Sequence, residues 1–349
     1  MILRRALTCS RLSHRVALAP SLARWYSPTI YKPDGTTHTV KEELTPLAKH
    51  IRDTILATGP ISIAQYMQLA LTSPIGGYYT RGQVFGQEGD FVTSPEISQM
   101  FGEVMAVWYV MHWEMMGRPA KTVFVELDVS DSSTTPVQPT SPAQLRGSLQ
   151  STSSVEDSST SHFKFVRARG VTSNAAMVLR DQRFDSLFDK GDRVEVSPES
   201  ARVMIQLADW ISANNGMGLV IDYGVDWTQG DTFRGIKNHQ FVNPLSSPGS
   251  MDLTADVDFS YLRFAANGKA KCYGPIEQGS FLHSMGIQAR LQQLLQSTSD
   301  NKVQKDLVDC YKRLTDVHSM GRVYKVLAVL PNSSEGAPIP FAQPTANSS

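Results

Sequence analysis

The chain has 349 residues, 33 Lys plus Arg against 33 Asp plus Glu, and 41% hydrophobic residues. The balanced charge gives no case for nucleic-acid binding through bulk charge, and the chain holds no run of 18 apolar residues to span a membrane. Cys9, Cys272 and Cys310 are too few and too scattered for a disulfide framework or a zinc site.

Residues 1–26 read as a mitochondrial presequence. Arg4, Arg5, Arg11, Arg15 and Arg24 all precede the first acidic residue, Asp34, with Leu, Ala and Ser between them. The expected address is the mitochondrial matrix. Between Lys41 and Ala70 the apolar spacing predicts two helices. Leu47, Ile51, Ile55 and Leu56 share one face, Gly59-Pro60 interrupts, and Ser62 opens the second helix with Tyr66, Leu69 and Ala70.

Ser73 to Glu96 is a long loop with five glycines and the aromatics Tyr78, Tyr79, Phe85 and Phe91. Loops of this length are functional or disordered, and so many aromatics argue for order. It is therefore read as an ordered, functional loop. Ser94-Pro95-Glu96 has helix-start chemistry, with Ser94 as the cap. Ile97, Phe101, Val104, Met105, Trp108 and Met111 then form a helical core stripe. Thr122 to Leu127 reads as a buried parallel strand ending in Glu126.

Asp128 to His162 breaks the pattern, because 16 of its residues are Ser or Thr. Such a segment buries too little apolar surface to offset its ordering entropy, and disorder is predicted. Strands are predicted at Phe163–Val166, Arg193–Val196, Gly218–Gly224 and Val323–Leu330. Helices are predicted after Ser197-Pro198-Glu199, burying Met204, Ile205, Leu207, Ala208 and Ile211, and from Phe281 to Leu295. Residues 331–349 read as a loose tail. The units expected are thus 41–127, 128–162, 163–330 and the tail. Alternating helices and short strands indicate an α/β fold with a mainly parallel sheet. Ligands bind such sheets beyond the carboxyl ends of the strands. Glu126 and Asp222 stand at two such ends, Asp90 and Glu96 lie in the long loop, and Asp252 to Phe259 holds a further acidic cluster. Each acid alone reads equally well as a cap or a solvated charge.

Gly76 to Glu103 resembles the signature of the MidA family of protein-arginine methyltransferases. So do Val123 to Leu127, Arg193 to Val196, Leu219 to Gly224, Gly230 to Gly235 and Asp252 to Phe259, in the family's order. The resemblance implies a Rossmann-like S-adenosylmethionine-dependent methyltransferase fold with an N-terminal helical region. It also implies S-adenosylmethionine as cofactor, no metal, and a subunit of respiratory complex I as protein substrate, carrying symmetric dimethylarginine. Under that resemblance Glu96, Asp90 and Asp222 are the candidate catalytic acids. They would clamp the acceptor guanidinium and help remove its proton. Glu126, Tyr78, Phe91 and Ser94 are the candidate cofactor-binding residues, and Tyr79 joins the aromatic wall.

The sequence departs from the family after Leu127. A Gly-Pro-Gly-Arg-Gly type loop is expected there, and Asp128-Val129-Ser130-Asp131-Ser132-Ser133 stands instead. The crossover helix and the ribose-binding acid that follow in the family also have no match, so part of the central sheet is missing. Three readings stay open: a methyltransferase, a matrix protein that binds complex I subunits without catalysis, and a product that does not fold stably.

Overall fold

The computed structural model describes residues 44–80, 93–123, 163–167, 176 and 194–341. One compact unit, Glu43–Ser349, holds all of them. The leader, Asp90, Phe91, Glu126 and the Ser/Thr-rich stretch lie outside the described residues.

Helices α1 (Pro46–Thr58) and α2 (Ile63–Thr72) form the expected pair, with Thr45 and Ser62 capping their first turns. Leu47, Ile51, Tyr66 and Ala70 pack against Leu245, Met251 and Leu253. Helix α3 (Ser94–Ile97) and α4 (Gln99–Met115) follow. The cap of α3 is Thr93 rather than Ser94: the Thr93 N–H donates to Glu96 Oε2 at 2.8 Å. Ile97, Phe101, Val104 and Trp108 are buried as the stripe requires.

Helix α5 (Pro198–Ala213) is capped by Ser197. It buries Met204, Ala208 and Ile211, whereas Ile205 is 36% exposed. Then come β1 (Gly218–Val225), β2 (Arg234–Lys237), β3 (Gln240–Val242), β4 (Asp252–Thr254), β5 (Val257–Asp258), α6 (Phe259–Ala266) and β6 (Ala270–Glu277). The chain ends with α7 (Gln278–Ser284), α8 (Ile287–Gln296), α9 (Asn301–Thr315), α10 (Met320–Val323) and β7 (Tyr324–Pro331). The helix expected over 281–295 is two helices, because Gly286 takes a left-handed conformation (φ 91°) between them.

Two sheets form, a four-stranded one in the order β5-β1-β7-β6 and a three-stranded one in the order β3-β2-β4. The fold class is as expected, a mixed α/β sheet with helices at the N-terminal side. The strand directions are not. β1 and β5 run parallel, but β7 is antiparallel to both β1 and β6. Alternation of helix and strand in a sequence does not fix strand direction, and β7 turns back between two strands already laid down.

Phe163–Val166 forms no strand; Phe163 instead packs on Tyr66 with ring centroids 6.0 Å apart, and Phe165 on Phe233 at 6.4 Å. Val194–Val196 and Thr122–Val123 likewise lie outside any sheet. The segment expected to be loose after β7 is seated as far as Phe341. Trp108 Nε1 donates to the Ile339 carbonyl at 2.7 Å, Tyr273 Oη donates to that of Gly336 at 2.9 Å, and Phe341 is buried against Phe281. Its Pro/Ser/Ala composition hid one aromatic anchor, which is enough to hold a short segment on a core.

Candidate active site

The carboxyl end of β1 carries Asp222, Tyr223 and Gly224, and the small sheet brings further groups to it. Gly224 and Val225 pair with Val257 and Asp258 of β5. Gly224 has φ 153°, and a Cβ there would lie 2.1 Å from the Val257 carbonyl oxygen. A side chain at 224 would therefore push β5 away, so glycine is what lets the two strands close at the site.

β5 follows Asp256, whose carboxylate is 2% exposed and lies 2.7 Å from Arg234 Nη1. Arg234 begins β2, opposite Thr254 of β4. Its guanidinium sits 5.4 Å from the Tyr223 ring centroid and 5.2 Å from that of Phe241, within cation–π range. The Tyr223 hydroxyl bonds Thr254 Oγ1, and the Tyr223 and Tyr324 rings meet edge to face at 5.4 Å. Tyr79 Oη donates to Asp252 Oδ1 at 2.8 Å, and Tyr78 stands edge-on to Tyr79 at 5.2 Å.

Glu195 holds the turn before β2 in place. It accepts the N–H groups of Thr232 at 3.1 Å and Phe233 at 3.0 Å, together with the Thr232 hydroxyl. Thr232 Oγ1 in turn accepts from the Asp256 N–H at 2.9 Å. One carboxylate thereby fixes both the segment carrying Arg234 and the segment carrying Asp256.

Burial raises the Asp222 carboxyl to about 6; the Tyr223 N–H bonded to it lowers it, nearby Asp256 raises it, and Arg234 lowers it. A carboxylate poised near neutral pH is suited to accept a proton. Burial also raises Tyr223, to about 12, and raises Tyr79 and Tyr324, so these phenols stay protonated. The site can thus offer two carboxylates and several aromatic rings to a planar cation, and one of those carboxylates can exchange a proton.

The structure gathers Asp222 and, through Tyr79, the Tyr78 region at this end of β1. It ties Glu96 to Thr93 instead. Ser94 is buried and donates to Gln278 Oε1 at 2.9 Å, a bond between core elements. Asp90, Phe91 and Glu126 lie outside the described residues. Sequence reading passed over Arg234, Glu195 and Thr232 as site groups and held Asp256 only as a member of the acidic cluster 252–259. Glu195 stood in a predicted strand, and Arg234 and Asp256 stood in quoted motifs, but only the fold brings the three segments together.

The fold is that of a methyltransferase. A protein from Burkholderia thailandensis, described as a candidate methyl transferase bound to S-adenosyl-homocysteine, superposes with a TM-score of 0.52 at 18% identity, over 83% of this chain and 92% of that one. A native structure of an uncharacterised protein from the same organism gives 0.57 at 19% identity, over 84% and 93%. Residues 140–276 match a family described as "Putative S-adenosyl-L-methionine-dependent methyltransferase". That span takes in 140–162, which the sequence reading had set outside the family pattern.

The relatives narrow the class. The chain is 30% identical to protein arginine methyltransferase NDUFAF7, mitochondrial, from Bos taurus, over 86% of this chain and 87% of the relative. It is 32% identical to the Danio rerio protein, over 81% and 86%, and 33% identical to the Drosophila melanogaster homolog, over 91% and 96%. The chain belongs to this family of mitochondrial protein arginine methyltransferases. The Bos taurus alignment runs over 391 positions, yet 86% of 349 residues is about 300, so roughly 90 positions have no residue in this chain.

S-adenosylmethionine is the methyl donor of the family. Three crowded glycines among the described residues do not line a cradle for it. Where a Cβ would clash, as at Gly77, Gly224 and Gly249, the nearest atom is the chain's own backbone: Ser73 N at 2.5 Å, Val257 O at 2.1 Å and Gly76 O at 2.2 Å. These glycines close backbone on backbone and leave no room for a ligand.

Proposed function

We propose that this chain recognises the guanidinium of a protein arginine, in the setting of the family reaction, methyl transfer from S-adenosylmethionine. The observation that carries this reading is a guanidinium, that of Arg234, held between the Asp256 carboxylate and the Tyr223 ring at the end of β1, where the buried Asp222 carboxyl feels both charges. A guanidinium is charged at neutral pH and a poor nucleophile. A carboxylate on its N–H fork draws charge toward one edge, and a second one near neutrality accepts the proton released on methylation. Asp222 takes the second role, and the ring holds the guanidinium plane. The substrate we assign is a subunit of respiratory complex I, the product symmetric dimethylarginine, and the compartment the mitochondrial matrix.

A second reading is recognition without transfer. It is favoured by Asp128 to Ser133 standing where the family has its glycine loop, and by the roughly 90 unmatched positions. The deciding experiment uses the full chain with labelled S-adenosylmethionine and an arginine-bearing peptide. Label on arginine, lost in Asp222→Asn, supports transfer. Peptide binding with no label and no thermal shift by S-adenosylmethionine leaves recognition alone, and absence of peptide binding overturns both.

A further inference from the structure

We infer that Arg234 occupies, in cis, the guanidinium seat of this site, so that a protein arginine enters by displacing it. The inference rests on the acceptor reading above and adds how the seat is filled before the acceptor arrives.

Arg234 already makes the contacts an acceptor would seek. Its guanidinium lies against Asp256 and within range of the Tyr223 and Phe241 rings. The Asp256 side chain is 2% exposed and that of Arg234 22%, so the cation shields the carboxylate from outside.

The fit is nevertheless imperfect. Arg234 Nη1 is 2.7 Å from Asp256 Oδ1, but off the line of a hydrogen bond, and it donates instead to the Thr232 carbonyl at 2.8 Å. Arg234 Nε and both Asp256 oxygens are buried without a hydrogen bond. A structural ion pair at this depth is expected to satisfy its atoms, since each orphan carries a desolvation cost. A carboxylate and a guanidinium normally meet through two parallel N–H···O bonds.

Arg234 does not adopt that geometry, and its own backbone is pinned. Glu195 grips Thr232 and Phe233 immediately before it, and β2 pairs with β4 from Arg234 onward. An arginine arriving on another chain has no such tether and can present its fork to both Asp256 oxygens. Phe241 is 75% exposed, so the outer ring over Arg234 is free to swing with it. Arg234 is thus a competitor of the same chemistry and poorer geometry, a seat-holder that keeps Asp256 paired until an acceptor takes over.

The test uses the full chain labelled with ¹⁵N-arginine and two blocked peptides, Gly-Arg-Gly and Gly-Lys-Gly. Titration calorimetry reads binding, and the Arg234 Nε–H resonance, assigned through its own backbone, reads displacement. The arginine peptide is expected to give heat and to move that resonance to the position of a solvated arginine, while the lysine peptide does neither. Arg234→Lys, a weaker rival that lacks the planar fork, is expected to bind the arginine peptide about tenfold more tightly. Heat with an unmoved Arg234 resonance overturns the inference and leaves the acceptor reading standing. Equal binding of the lysine peptide overturns a seat specific for guanidinium. No heat from either peptide overturns the acceptor reading and the inference with it. The wild-type titration decides even where the variant does not fold.

Discussion

β7 and β1 are neighbours in one sheet, each eight residues long. They live in different environments. β7 is paired along both edges, and Val326, Leu327, Ala328 and Val329 are fully buried. β1 is paired with β7 along one edge, but among the described residues only Gly224 and Val225 are paired along the other. Leu219 to Tyr223 are correspondingly half-buried. The less sealed strand is the one that carries Asp222. On the function proposed above, β7 carries more of the stability and β1 more of the function.

The sharpest way to break that comparison is to truncate both strands. Leu327→Ala is expected to lose about 2–5 kcal/mol, as for a fully buried leucine. Leu219→Ala, half-buried on β1, should lose about 1–2 kcal/mol. Urea midpoints measure both, and equal losses would show that β1 is as firmly packed as β7.

Gly224→Ala tests the closure of β1 on β5. The added Cβ meets the Val257 carbonyl at 2.1 Å in a conformation that side chains rarely adopt. A loss of about 1–3 kcal/mol is expected from the backbone strain. Amide exchange should quicken at Val257 and Asp258 while the β7 amides stay protected. Unchanged exchange in β5 would mean that the strands have room to spare.

Glu195→Gln examines the clamp behind the site. The carboxylate serves two backbone N–H groups and a hydroxyl, and hydrogen bonds to a charged acceptor are worth about 1.5–3 kcal/mol each when removed. The amide keeps some of them, so the expected loss lies at the low end of that range. A thermal melt measures it, and a Tm equal to that of the wild type would remove Glu195 as the organiser.

Much of this was legible in the sequence, and the failures have physical causes. Helices with sharp ends were visible because Ser62 and Ser197 cap them and Gly59-Pro60 interrupts the first pair; the Thr45 cap of α1 was not seen. β1 and β7 were visible as apolar β-branched runs. The antiparallel return of β7 was not, because a strand's composition is the same in either direction. Phe163 to Val166 alternates like a strand yet uses its two aromatics on Tyr66 and Phe233. Asp222 could be named from its place at a strand end. Asp256 could be named only as part of an acidic cluster, and Arg234 and Glu195 not at all, since their contacts span tens of residues. Glu96, a candidate through the family resemblance, stands in the first turn of α3 bonded to Thr93.

The gentlest test concerns Asp222 and follows from its displaced titration. Its folded value, about 6, stands above the usual 3.8, with burial the main cause. The fold therefore disfavours the charged form. The stability associated with this group is fully present below about pH 4, falls as pH rises toward 6, and is level above. Asp222→Asn has no charge to lose, so the variant should gain on the wild type across that window and hold the gain at pH 7. Each tenfold change in ionisation is worth about 1.4 kcal/mol and the shift spans about two, a ceiling of about 3 kcal/mol, of which solvent screening leaves an expected gain of roughly 1 kcal/mol. Urea midpoints at pH 4, 5, 6 and 7 measure it. A gain independent of pH would mean that the carboxyl titrates normally and is no better placed than a surface aspartate to accept a proton. A gain that tracks the pH, with loss of arginine binding in the same variant, would identify β1 as a strand that gives up stability to keep a proton acceptor at the site.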